Sequence, residues 1–340
     1  MGRHLILFLG LLLFAGPPGA AHAQRAVNLY TARHYESDQV LYDLFEKETG
    51  IKVNAVSGNA PELIERIRRE GGATSADLFI TVDGGVLRTA KEAGILSPVT
   101  SEKALANVPQ NRRDRDNQWL GLTTRARVIV YSKERVRAEE LSTYEALADP
   151  KWQGRILARP SSSLYDQSLL ASLIVLDGEN EAAAWVKGFA GNFARPPKGN
   201  DRAQAKDIAA GLGDVALMNT YYIGQMLNSK DPEEVRAVEA VGVFFPSQAG
   251  TGTHINISGV GLVKNGPNRD NAVKLIEFLT DVEAQNRLSA DNYEYPVNPR
   301  ARTHEFLASF GDFKTQDIDF DDLGRNNALA IRLFAQGGWK

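Results

Sequence analysis

The sequence predicts an α/β protein of two domains, and three observations predict it. Short apolar segments alternate with helix-periodic ones over residues 27–94, a pattern that calls for a parallel sheet. The alternation resumes over residues 255–279. The length of 340 residues, less an N-terminal leader, suits two domains better than one.

The leader comes first. Arg3 and His4 precede an apolar run over residues 5–15, Gly16-Pro17-Pro18-Gly19 breaks it, and Ala21-His22-Ala23 has the A-x-A form of a cleavage site. Residues 1–23 are therefore expected to be a secretory signal peptide, cleaved after Ala23, so that the mature chain begins at Gln24. No later run reaches the ~18 consecutive apolar residues of a membrane span. The sequence contains no cysteine, which removes disulfides, thiolate metal sites and a lipid anchor behind the leader. Export without an anchor points to the periplasm. A net charge of −3 with both signs dispersed makes no electrostatic case for nucleic acid.

Residues 27–30 read as the first strand, followed by the polar turn 31–35. A helix follows, with Ser37 or Asp38 as N-cap, Val40, Leu41, Leu44 and Phe45 on one face, and Gly50 just past its end. Residues 51–56 form a strand, Pro61 opens a helix with Leu63, Ile64 and Ile67 inward, and 77–82 is a buried strand before a helix to Gly94. Residues 119–122 and 128–131 look like paired strands leading out of the first domain. A turn at 149–154 feeds a strand at 155–158. Ser161, Ser162 and Ser163 offer N-caps for a helix through Leu176, with Tyr165 in its first turn. Helices are expected at 179–190 and 203–210, strands at 215–218, 241–245, 255–257 and 259–263, and a helix at 272–279. The tail is helical, with an amphipathic stretch at 323–333.

The pair Tyr221-Tyr222 stands directly after the strand 215–218. With Thr220 as cap, both rings fall in the first turn of a helix at the strand's carboxyl end, where open α/β sheets bind ligands. Adjacent helical residues diverge by about 100°, so two such rings do not share one core face. One core tyrosine and one surface tyrosine is the alternative. His34-Tyr35 and Tyr165 also lie in a loop or first helical turn after a strand.

VNLYTARHY at 27–35, followed by a helix and TGIKV, resembles the start of periplasmic ferric-iron-binding proteins. ADLFITVD, TTRARVIVYSKERV, LADPKWQGRI, SSSLYDQSLL and ALMNTYYIGQM resemble the same family, particularly its Fut-type branch, in order over the whole mature chain. The resemblance implies a type II periplasmic-binding-protein fold, two α/β lobes joined by a two-strand hinge. Lobe 1 would be residues 25–127 plus 252–302, and lobe 2 residues 128–251 plus 303–340. It implies a monomeric solute-binding protein, not an enzyme, that delivers Fe(III) to an inner-membrane ABC permease and its ATPase. The family's adjacent tyrosine ligands match Tyr221 and Tyr222. Its Fut-type branch adds tyrosines that match Tyr35 and Tyr165 and a histidine that matches His34, where water is the alternative. A synergistic anion or water would complete the shell.

The chemistry of these residue types agrees. Fe(III) is a hard ion and phenolate a hard anionic donor. Free tyrosine has a pKa of about 10, but a bound trication displaces the proton, as metals do for water and thiols. Four phenolates leave one surplus negative charge with Fe(III) and two with Fe(II), which favours the ferric state. Calcium and magnesium take carboxylates, carbonyls and water, and zinc prefers Cys and His. Some relatives carry a cation one turn after the pair, where this chain has neutral Gln225 and Met226. Arg33, Arg125, Arg127 or Arg202 is expected to balance the charge instead. Ser161 to Ser163, at a helix N-terminus, would hold an anion if Tyr165 were not a ligand. The other reading on this fold is an oxyanion- or small-solute-binding protein. Two-His-one-carboxylate, G-x-S-x-G and H-E-x-x-H patterns are all missing from the sequence, which disfavours an enzyme. His254 and His304 read as structural.

Overall fold

The strand that the sequence divides in two is continuous. The computed structural model describes residues 25–33 and 35–340, so the leader at 1–23 and His34 lie outside the described residues. Trp119–Ser132 is a single 14-residue strand. Residues 123–127 contain neither Gly nor Pro, the residues a tight hairpin would draw on, so the two halves run on and find different partners.

Among the described residues ten strands make up the sheet: β1 (Ala26–Thr31), β2 (Lys52–Ser57), β3 (Leu78–Thr81), β4 (Leu96–Ser97), β5 (Trp119–Ser132), β6 (Ile156–Leu157), β7 (Val215–Asn219), β8 (Val241–Phe244), β9 (Ile255–Val263) and β10 (Tyr295–Pro296). Their order is β2-β1-β3-β9-β5-β7-β6, with β8 and β10 on β5 and β4 on β9. β1 is parallel to β2 and β3, and β6 to β7, as the alternation predicts. β9 runs antiparallel to β3 and to β5, and β5 antiparallel to β7, so the sheet is mixed rather than parallel. The cause is connectivity: β5 carries the chain out of the first half and β9 brings it back alongside. β3, β7 and β9 are buried along their whole length; β3 and β7 read as apolar runs for that reason, while β9 is one strand where the sequence reads two, divided at the buried Ser258.

β5 changes partner at its middle. It pairs with β9 as far as Ala126↔Ile255, then with β7 from Arg127↔Asn219 onward and with β8 at its end. Two sheet halves therefore meet at Arg127, whose N–H donates to the His254 carbonyl at 2.9 Å. The helix Phe320–Gly337 packs on Gly84–Glu92 from the first half and on Leu164–Asp177 and Glu179–Gly191 from the second. Glycine makes the first contact possible, since a Cβ on Gly324 would lie 2.8 Å from the Gly85 carbonyl. Among the described residues, no helix is long and apolar enough to cross a membrane.

Two local readings are corrected. The helix Asp38–Thr49 buries Asp38, Leu41, Tyr42 and Phe45 and leaves Val40 45% exposed. It is rolled toward Asp38 because that carboxylate pairs with Arg33 at 2.8 Å. The helix after β7 begins at Thr220, with Asn219 in the cap position. The Thr220 hydroxyl is spent on β5, where it accepts the Ala126 N–H at 3.3 Å.

His254 is buried where the halves meet. Its Nδ1 lies 2.9 Å from Gln316 Oε1 and its N–H donates to the Tyr144 hydroxyl at 3.0 Å. Burial, aided by Arg127 and Arg125, lowers its pKa to about 3 against the opposing pull of Gln316. The unfolded ring titrates near 6.5. The folded pKa is the depressed one, so the native state keeps its full advantage above about pH 6.5 and loses it as pH falls toward about 3, by about 1.4 kcal/mol per unit. Comparing urea unfolding at pH 7 and pH 5, His254→Gln is expected to lose less stability than the parent by about 2 kcal/mol. Equal losses in the two proteins would show that this ring does not couple protons to folding.

Candidate metal centre

Three segments deliver four phenols to the junction of the sheet halves. Tyr35 follows β1. Tyr165 is the second residue of the helix Leu164–Asp177, and Tyr221 and Tyr222 occupy the first turn of Thr220–Leu227, directly behind β7. The Tyr35 and Tyr221 rings meet edge-on with centroids 5.8 Å apart. Tyr221 and Tyr222 lie 4.2 Å apart, and the Tyr221 hydroxyl donates to that of Tyr165 at 3.1 Å. Tyr221 and Tyr165 are buried, Tyr35 and Tyr222 partly so. The pair does differ in burial, but both rings face one cluster. All four sequence-predicted tyrosines come together, while His34 lies outside the described residues.

Buried charges hold these segments in place. Asp166, beside Tyr165 in sequence, accepts Arg127 at 2.7 Å. Asp201 accepts Arg127 at 2.7 Å and Arg159 at 2.8 Å, and its Oδ2 takes the Asn219 N–H at 2.8 Å. The strand crossing, the Tyr165 helix and the entry to the Tyr221 helix are thus tied to one guanidinium.

The four arginines left open by the sequence are now distinguishable. Arg33 bonds Asp38 through two nitrogens, at 2.8 and 3.1 Å, and reaches Glu294 at 3.3 Å. Arg127 is paired as described, and Arg202 pairs with Glu234 at 2.5 Å and Gln225 at 2.8 Å. Arg125 alone among them has no ion pair with a described carboxylate. It is fully buried, donates to Ser258 at 3.3 Å, and its Nε and Nη2 have no hydrogen-bond partner among the described residues. Its guanidinium carbon lies 5.9 Å from the Tyr165 ring centre.

Burial pushes the phenol of Tyr35 well above the ordinary tyrosine value, Glu294 and Tyr165 add to this, and Arg33 and Arg125 oppose it. Tyr221 is likewise pushed well up, by burial and then by Tyr35, Tyr165 and Tyr222. Burial also raises Tyr222. Left to themselves these phenols keep their protons at neutral pH; a strongly charging cation is what removes them. Among the described residues, no group of three or more His, Asp or Glu is placed to hold a metal.

Three contributors escaped sequence reasoning. The Ser168 hydroxyl donates at 2.5 Å to Asp83 Oδ2, which also takes the Asn256 amide at 2.6 Å. This buried triad joins the Tyr165 helix to the other half. Its one sequence signal is that Ser168 stands three residues after Tyr165, on the same helix face. Glu294 is buried and accepts Thr123 at 2.8 Å beside Arg33, with no motif to announce it. Gly224 lets the segment carrying Glu294 lie on the tyrosine helix, since a Cβ there would sit 2.4 Å from the Tyr293 ring. Of the serine cluster, Ser161 gives its N–H to the Lys340 carbonyl at 3.1 Å, while the buried Ser163 hydroxyl has no partner.

The chain is similar to known proteins. Residues 41–315 match the model of the family described as bacterial extracellular solute-binding protein. The chain is 52% identical over 317 residues to Iron uptake protein A1 of Synechocystis sp., covering 93% of this chain and 88% of that one. Among solved structures, it resembles a Trichodesmium IdiA (FutA) in complex with iron and citrate ligands, at 50% identity and a TM-score of 0.88, covering 93% and 100% of the two chains. It also resembles the ferric binding protein from Campylobacter jejuni, at 41% identity and a TM-score of 0.88, covering 92% and 100%. The fold is that of the type II periplasmic binding proteins, and its relatives are carriers of solute rather than enzymes. The chain therefore belongs to the bacterial extracellular solute-binding protein family, in the branch that holds these iron-uptake and ferric-binding proteins.

Proposed function

We propose that this protein captures Fe(III) between its two lobes through the phenolates of Tyr35, Tyr165, Tyr221 and Tyr222, and delivers it to an ABC importer of the inner membrane. His34, next to Tyr35 in the chain, is the proposed fifth ligand. The lobes are residues 25–127 plus 252–302 and residues 128–251 plus 303–340. The protein works in the periplasm after its leader is removed behind Ala23. The observation that carries this reading is the convergence of four phenols from three segments beside a buried arginine that has no carboxylate of its own. A relative of half-identical sequence in complex with iron and citrate supports it.

The protonated phenols are neutral and tolerate burial; as phenolates they match the charge of a ferric ion to within one. Arg125 is the cation that offsets the remainder, since Arg33, Arg127 and Arg202 are already paired. Ser163, with its unspent buried hydroxyl, is the donor for an accessory anion or water.

Mature protein exposed to ferric citrate is expected to hold one iron per chain and to show the visible absorption of tyrosinate bound to Fe(III). The combined Tyr221→Phe and Tyr222→Phe variant should lose the colour and the iron. Only the hydroxyls are removed, so unfolding free energy should change by about 1 kcal/mol or less. Colourless parent protein without iron, or full binding by the double variant, would refute the site.

Iron affinity should depend steeply on pH. Tyr35, Tyr221 and Tyr222 hold their protons when no metal is bound, so binding releases protons and acid favours release. Between pH 7.5 and 6.5, competition with citrate, corrected for citrate's own protonation, should weaken the iron complex by about 100-fold or more, two or more protons being displaced. A change of about tenfold or less would mean that one phenolate at most is formed.

Arg125→Gln should weaken Fe(III) binding by about tenfold or more, because an opposite charge near a titrating oxygen is worth about one pKa unit or more. Unchanged affinity in a folded variant would assign charge balance elsewhere.

A further inference from the structure

The helix Thr220–Leu227 presents one face to the half of the molecule that carries Tyr35. Tyr221 and Gly224 are three residues apart and share that face, one turn from each other. Tyr221 meets the Tyr35 ring there. Gly224 meets Tyr293, since a Cβ on Gly224 would lie 2.4 Å from Tyr293 Cγ and 2.8 Å from its Cβ. Tyr293 ends the helix Val282–Asn292 with a φ of 57°, in the left-handed region that bulky side chains seldom adopt. Glycine would hold that backbone without strain, so the ring stands there against local preference.

Tyr293 and Tyr35 stand on one base. Asn292 donates to Asp38 at 3.4 Å and accepts the Ser37 hydroxyl. Glu294 accepts Arg33 at 3.3 Å and the Thr123 hydroxyl at 2.8 Å. Both neighbours of Tyr293 are thus tied to residues that flank Tyr35 in the chain. The Tyr293 ring is also bracketed by His304 and Phe306, with centroids at 4.8 and 6.0 Å. Two rings on one base therefore meet two residues on one helix face, and the approach of Tyr221 to Tyr35 is limited at Gly224.

We propose, on the reading that the tyrosines bind iron, that Tyr293 is a positioning residue for the metal centre. It seats the tyrosine helix against the first half at the separation where Tyr35 and Tyr221 reach the same ion. A methyl group at position 224 would fall about 1 Å short of ordinary van der Waals separation from the ring. Rotating the Tyr293 side chain gives no relief, because its own Cβ is within the overlap. The helix would instead stand off from the first half and withdraw Tyr221 from Tyr35. Folding itself would not suffer, since the halves can stand apart and alanine favours a helix over glycine.

The test is Fe(III) affinity of the mature parent and its variants, by competition with citrate and by the visible tyrosinate absorption. Gly224→Ala should weaken iron binding about tenfold or more, as fewer molecules reach the competent arrangement. Its urea midpoint without iron should be no lower than the parent's. Tyr293→Gly, which suits the left-handed backbone, should weaken iron several-fold. Combining the two removes the overlap and should bring affinity back up to that of Tyr293→Gly alone. A role of Gly224 confined to its own helix would not give that rescue. Equal affinity of Gly224→Ala and parent overturns the proposal and leaves the iron site standing. So does Tyr293→Gly with the parent's affinity, or a double variant no tighter than Gly224→Ala. Should Gly224→Ala not fold alone, the double variant is expected to fold and to bind as Tyr293→Gly does, and its failure to do so overturns the proposal. Parent protein that takes up no iron overturns the iron reading and this positioning role with it.

Discussion

One buried guanidinium organises the molecule. Arg127 stands at the residue where β5 leaves β9 and joins β7, and both its ionic partners come from elements that carry tyrosines or lead to them. Asp166 is the neighbour of Tyr165, and Asp201 holds the Asn219 N–H just ahead of Tyr221. With Arg159 added, the network contains two arginines and two aspartates and is electrically neutral. Such buried networks add little net stability, because desolvation offsets most of the attraction. Breaking one member is another matter: an uncompensated buried charge costs about 3–5 kcal/mol. The network thus penalises alternative placements of the tyrosine helices and ties them to the strand crossing.

The choice of phenol over carboxylate follows from the same dielectric argument. Three or four carboxylates gathered in a dry junction would repel one another and raise each other's pKa. Phenols enter it neutral, and burial together with their mutual proximity keeps them so. A ferric ion reverses the preference by supplying charge at the oxygens. In the proposed complex the surplus left after four phenolates would be met by Arg125, which sits in the fold with Ser258 as its polar partner. Arg125 would then be a cation desolvated in advance, whose electrostatic return is collected only when the phenols ionise.

Most of the tyrosine cluster was legible in the sequence because strand ends are. Tyr35, Tyr221 and Tyr222 follow apolar strands closely, and Tyr165 lies one residue inside a helix announced by three serines. What could not be read is whatever depends on contacts between distant segments. Thr220 looked like a cap because Ser and Thr before a helix usually are; Ala126, 94 positions away, claims its hydroxyl instead. Val40 was placed inside by helical spacing, and a salt bridge from Arg33 rolled the helix past it. The continuous β5 was misread as two strands because its polar middle, Thr123 to Arg127, is buried by partners from both halves. The arginine without a carboxylate is the clearest case. Composition counts charges, but only packing shows which of them are already paired.

The placement of the proposed ligands on both sides of the strand crossing makes binding and lobe geometry one problem. Tyr35 belongs to the half built on β1, β2, β3 and β9; Tyr165, Tyr221 and Tyr222 belong to the half built on β7, β6 and β8. Rotating the halves apart withdraws Tyr35 from Tyr221 and pulls Ser168 away from Asp83, so a phenolate and a buried charge-assisted hydrogen bond go together. Both losses come from one rotation about the junction, which β5 crosses in passing from β9 to β7. A metal bound by all four tyrosines stabilises only the shut arrangement, and its apparent affinity scales with the fraction of molecules already shut. In that case contacts remote from the metal, such as Asp83–Ser168 and the seating of Phe320–Gly337 on both halves, would set affinity as surely as the ligands do. On the proposed function, release would follow separation of the halves, which would strip Tyr35 from the ion, expose the remaining phenolates to water and let protons take the metal's place.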